Sequence, residues 1–131
     1  MIIADTSVWI EFFRGHSPVV EELSGLFQRS SVMGLPWVFG ELLQGARNQA
    51  EIQVLLRTWE AIPKPELRSS EVAWIRAGEQ SCLGKWHAKG LGLIDAAIVA
   101  ISEEYKAPVW TLDKKLEAVL RFKKIMWQPQ S

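Results

Sequence analysis

Apolar residues along the chain alternate between short solid runs and longer runs at helical spacing. Ile2–Ala4 is apolar throughout and reads as a short strand, followed by a helix over Ser7–Arg14. Pro18–Arg29 carries Val19, Val20, Leu23, Leu26 and Phe27 at helical spacing. Ser31–Leu35 reads as a second strand, Trp37–Arg47 and Ala50–Trp59 as helices. Ile62-Pro63-Lys64-Pro65 must be extended or turning, because proline breaks either element. Ser69–Lys89 predicts one long helix, capped by Ser69 or Ser70 and closed by Gly90 and Gly92. A helix over Ile94–Tyr105, a strand at Pro108–Thr111, a helix at Lys114–Leu120 and a last strand at Lys124–Trp127 complete the reading. Strands alternating with helices predict an α/β fold, a central parallel sheet sandwiched by helices.

Composition sets bounds. The chain of 131 residues is 48% hydrophobic and 23% charged, which suits one folded domain, residues 1–131, rather than a disordered or fibrous chain. Its single cysteine, Cys82, excludes an internal disulfide. Met1-Ile2-Ile3-Ala4-Asp5 lacks the basic region of a secretion signal. The longest apolar runs, Leu91–Ile94 and Ala96–Ile101, are split by Asp95 and fall short of the roughly 18 residues of a membrane span. The expectation is a cytoplasmic protein with no membrane partner. Fifteen basic residues balance fifteen acidic ones, so any contact with nucleic acid must use a local patch. Lys85, His87 and Lys89 with Trp86, then Lys114 and Lys115, are candidates, although each charge is more simply a solvated helix end. The seven tryptophans exceed what such a patch needs. Trp9 with Phe12 and Phe13, and Trp74, are expected in the core or a subunit interface.

Three aspartates stand where a strand or loop turns into a helix: Asp5, Asp95 and Asp113. In an open parallel sheet those turns share the carboxyl edge, where ligands bind. Each taken singly is more simply a helix N-cap. Asp95 resists that reading, because Leu91, Gly92, Ile98 and Val99 around it cannot neutralise it. A carboxylate on a helix apolar on all sides needs a cation, or the donors of its own helix end. Glu41 lies off the apolar face of its helix with Trp37, and periodicity alone makes it a solvated glutamate. Converging carboxylates raise one another's pKa unless a cation sits among them, and hard oxygen ligands suit Mg²⁺ or Mn²⁺. Gly90-Leu91-Gly92 is not a dinucleotide fingerprint, since the third glycine is missing and a helix precedes it. His16 and His87 read as surface residues, and Cys82 has no evident base.

Four segments resemble the motifs of PIN-domain ribonucleases, in particular the VapC-type toxins of VapBC toxin–antitoxin pairs. They are Asp5-Thr6-Ser7-Val8-Trp9-Ile10, Gly40-Glu41-Leu42, Leu93-Ile94-Asp95-Ala96-Ala97-Ile98-Val99-Ala100, and Thr111-Leu112-Asp113-Lys114-Lys115-Leu116. The resemblance implies a PIN fold and a Mg²⁺ (or Mn²⁺) site built by Asp5, Glu41, Asp95 and Asp113. It implies that Thr6, Ser7 and Thr111 orient carboxylates or waters. It further implies a toxin that cuts RNA with a metal-activated water, forms a homodimer, and is silenced by an antitoxin whose tail covers the acidic cleft. Many relatives carry a further acid and an aromatic after the fourth motif; here Lys115 and Leu116 hold those places, leaving Asp113 as that turn's acid. The rival reading is a catalytically inactive PIN fold that binds RNA or a protein.

Overall fold

Ile2, Ile3 and Ala4 are apolar in sequence and buried, as a strand covered on both faces requires. A computed structural model describes residues 1–129 and places this strand, β1 (Ile2–Ala4), at the centre of a parallel sheet in the order β2-β1-β3. The flanking strands are β2 (Val32–Met33) and β3 (Val109–Trp110), with Ile3 in register with Met33 on one side and Val109 on the other. The helices between them are α1 (Thr6–Phe13), α2 (Val19–Gln28), α3 (Pro36–Gln44), α4 (Gln49–Ala61), α5 (Leu67–Gly84), α6 (Leu93–Tyr105) and α7 (Lys114–Lys123). One core runs through sheet and helices, with Trp9 and Phe39 among its largest fully buried side chains. The helices cover the sheet, and the fold is the α/β sandwich expected.

Several expectations are corrected. Neither Ser69 nor Ser70 caps α5; the helix starts at Leu67 after Glu66, without a side-chain cap. Ser70 is buried within the helix, and the Ser69 hydroxyl donates to Glu104 at 2.9 Å. The Ser69 side chain meets α6 instead of the free N–H groups of α5. The helix also ends before Lys89. Lys85 turns left-handed at φ 56°, and the Trp86 N–H bonds back to the Ser81 carbonyl at 3.0 Å. The Trp86 indole folds over Gly84 so tightly that a Cβ there would lie 2.3 Å from its Nε1. Only a short 3₁₀ turn, His87–Lys89, follows. The expected last strand shrinks to a single parallel bridge, Met126 to Val109. Trp37, placed off the apolar face by periodicity, is buried against Trp74 with ring centroids 4.8 Å apart.

The solid apolar run of α6 is buried at every position from Ala96 to Ser102. Its one buried hydroxyl, Ser102, donates to the Ala107 carbonyl at 2.7 Å and is thereby satisfied. α6 packs most extensively on α5. Ala73 and Ala77 are the buried apolar residues of α5. Among the described residues no helix is long and apolar enough to cross a membrane.

Candidate active site

Because β1 and β3 are parallel, the residues that leave them emerge at one edge. Asp5 follows β1 directly and caps α1; Asp113 follows β3 by three residues and caps α7. Thr111 and Leu112 lie between.

Asp5 is buried, and its two oxygens are held separately. Oδ1 accepts from the Ser7 hydroxyl and from the Val8 N–H at 3.2 Å. Oδ2 accepts from the Thr111 hydroxyl. Each hydroxyl is itself held by a backbone N–H: Leu112 donates to Ser7 Oγ, and Asp113 to Thr111 Oγ1, both at 3.0 Å. A hydroxyl that accepts from a fixed N–H must aim its own proton elsewhere, so both protons point at Asp5. Burial pushes the Asp5 carboxyl above its ordinary range. The bonds from Ser7, Thr111 and Val8 pull it back, and the charge of Asp113 pushes it up again.

Asp113 is exposed. Its Oδ1 accepts from the N–H groups of Lys115 at 2.7 Å and Leu116 at 3.3 Å, as an N-cap should. Asp95 is half-buried in the first turn of α6. The backbone of Gly92, the residue that opens that helix, favours its charged form. Asp95 thus stands in the first turn of its own helix and feels the charge of the other acids. Burial, then the charges of Asp113 and Asp5, push its carboxyl from 3.8 up to about 6; the Gly92 backbone opposes this and Glu41 adds a smaller push. Glu41 is exposed, as periodicity indicates, yet its Oε1 accepts from Thr6 at 2.7 Å. That bond ties the start of α1 to α3.

Four carboxylates from four separate segments thus act on Asp95 or are it. Their donors are hard oxygens, which suits a divalent cation. Among the described residues no three His, Cys, Asp or Glu side chains lie close enough to hold one ion jointly. Mg²⁺ typically uses one or two carboxylates and keeps several waters, so it does not need three protein ligands.

Sequence reading had no signal for the backbone donors of Leu112 and Asp113, since every residue but proline carries an N–H. Trp86 was a candidate for the nucleic-acid patch. Trp86 is buried, with Lys123 Nζ 5.7 Å from its ring centroid, and is not available. The exposed apolar side chains beside the acids are Leu93 and Leu112.

Asp5 and Asp113 leave adjacent parallel strands at the carboxyl edge of the sheet, where ligands bind in open α/β folds. The chain belongs to the PIN domain family, whose model matches residues 2–121, from β1 through most of α7. PIN domains are generally nucleases and generally use divalent metal ions. No curated protein matches the chain.

Proposed function

We propose that this chain is a single PIN domain acting as a Mg²⁺- or Mn²⁺-dependent endoribonuclease, the toxin of a VapBC-type toxin–antitoxin pair. The observation that carries the reading is the carboxyl edge of the sheet: Asp5 and Asp113 leave adjacent strands there, and Thr111 joins them by donating to Asp5 and accepting from the Asp113 N–H. Asp5 and Asp95 would hold the metal most directly, with Glu41 and Asp113 completing the cluster. A divalent ion there supplies a water acidic enough to attack at neutral pH and positive charge for the phosphate oxygens. The protein's own contribution is position. Ser7 and Thr111 fix both oxygens of Asp5, and Thr6 fixes Glu41, so little has to reorganise when substrate arrives.

The toxin reading draws support from a groove of about 650 Å³ between α1, α3 and α4. Ile10, Phe13, Leu42 and Val54 line it, and it opens beside Glu41. An apolar groove of this kind takes the apolar face of a partner's helix, which here would be the antitoxin's. A homodimer accompanies this reading, and sedimentation of the purified chain tests it.

Purified protein should cut RNA with Mg²⁺ or Mn²⁺ and not in EDTA, and Asp5→Asn should abolish cleavage. Equal cleavage in EDTA overturns the mechanism. Sequencing RNA ends after brief expression without the antitoxin identifies the target.

A further inference from the structure

The basic residues at 85–89 and at 114–115 are distant in the chain, and the fold joins them at Gly90. Gly90 has φ +89°, and the Lys115 side chain lies across it. A Cβ at Gly90 would stand 3.0 Å from Lys115 Cδ and 3.1 Å from Nζ. Lys89 precedes Gly90, and Lys114 precedes Lys115; all three lysines are exposed. None of them forms an ion pair among the described residues, whereas Arg47, Arg121 and Lys123 each pair with a glutamate. Lys114 and Lys115 also stand in the first turn of α7, where the helix dipole disfavours cations. The rim borders the acidic site, because Asp113 opens α7 and Gly92 opens α6 two residues after Gly90. Near Glu41 on α3, the one basic residue of the α3–α4 loop, Arg47, is already paired with Glu51.

We propose that Lys89, Lys114 and Lys115 seat the phosphodiester backbone of the substrate strand beside the cleavage site, and that Gly90 leaves room for Lys115 to reach it. This rests on the nuclease reading above. Three unpaired ammonium groups on one rim, next to acids that hold no ammonium of their own, match a ligand that is itself an array of anions. With Trp86 buried, this rim contacts phosphates rather than bases, so its contribution is independent of sequence.

The test measures binding of a fluorescein-labelled single-stranded RNA by anisotropy, over about 50–300 mM salt, with cleavage kinetics in parallel. For single strands the slope of log affinity against log salt falls by about 0.7 for each phosphate that the protein no longer neutralises. The triple alanine variant at 89, 114 and 115 should lower that slope by about 2. Its KM should rise at least tenfold, with a smaller change in kcat. Lys106→Ala, at the far end of α6, should change neither quantity. Gly90→Ala should raise KM as Lys115→Ala does, and the two together should raise it no further. If Gly90→Ala does not fold, the lysine variants decide alone. An unchanged salt slope in the triple variant overturns the rim, whether or not the protein cleaves. Wild type that binds with the expected slope but never cleaves removes the nuclease reading and leaves the rim standing. A DNA strand of the same sequence separates RNA from DNA preference.

Discussion

At the scale of single residues, Asp95 makes the sharpest prediction. Its folded carboxyl titrates near 6 against an ordinary 3.8. Between those values the folded chain binds more protons than the unfolded one, so stability falls as pH rises. The penalty is absent below about pH 4 and complete above about pH 6. In EDTA, Asp95→Asn should therefore stabilise the protein at pH 7.5, while its advantage should vanish near pH 4. The gain should be on the order of 1–2 kcal/mol once the partial exposure of Asp95 is allowed for. Asparagine keeps the shape and a side-chain oxygen of aspartate, so the packing around the helix end is preserved. Urea midpoints at the two pH values check this, and a variant less stable than wild type at pH 7.5 contradicts it. Thr111 predicts the opposite sign. Thr111→Val leaves the Asp113 N–H and one oxygen of Asp5 without their partner. It should cost about 1–3 kcal/mol. It should also lower cleavage about 10–100-fold, as removal of a residue that orients a metal ligand does. Thr111→Ser keeps the hydroxyl and should restore most of the activity; an equal drop in both would show that the methyl group, not the hydroxyl, matters.

At the scale of elements, what the amino-acid pattern conveyed depended on whether an element's environment is local. β1 and α6 were legible because complete burial demands unbroken apolar runs, and Ile2–Ala4 and Ala96–Ile101 have them. The start of α5 was not, because Ser69 looks like a cap and instead meets Glu104 of α6, 35 residues away, while Ser70 is buried within the helix. The end of α5 was hidden for a similar reason: Trp86 stops the helix by folding over Gly84, a contact that helical periodicity does not register. At the site, the positions of Asp5 and Asp113 followed from their strands. Glu41 did not, since its partner Thr6 belongs to another helix. The α5–α6 contact gives a prediction of its own. Ala77→Leu adds volume to a fully buried position and should destabilise by about 1–3 kcal/mol. Ile75 on the same helix is 78% exposed, and Ile75→Ala should stay within about 0.5 kcal/mol. Urea denaturation of the pair decides it; equal effects would mean that the outer face of α5 is covered as well.

At the scale of the whole molecule, formal charge sums to zero while the carboxyl edge concentrates acids. The folded state brings these charges together and the unfolded state spreads them, so a cation that enters the edge favours folding. Linkage sets the size: Mg²⁺ at ten times its dissociation constant should add about 1.4 kcal/mol. In a chain of this length that raises the melting temperature by several degrees. Protons compete for the same oxygens. At pH 5 Asp95 is mostly protonated, so the Mg²⁺ shift there should be much smaller than at pH 7.5. Asp95→Asn should shrink the shift at pH 7.5 and remove most of its pH dependence. Simple screening behaves differently, because sodium at matched ionic strength would then raise the melting temperature as much as Mg²⁺ does. A sodium shift of equal size, or a Mg²⁺ shift that survives Asp95→Asn undiminished, would mean that the acids at this edge repel one another without forming a binding site.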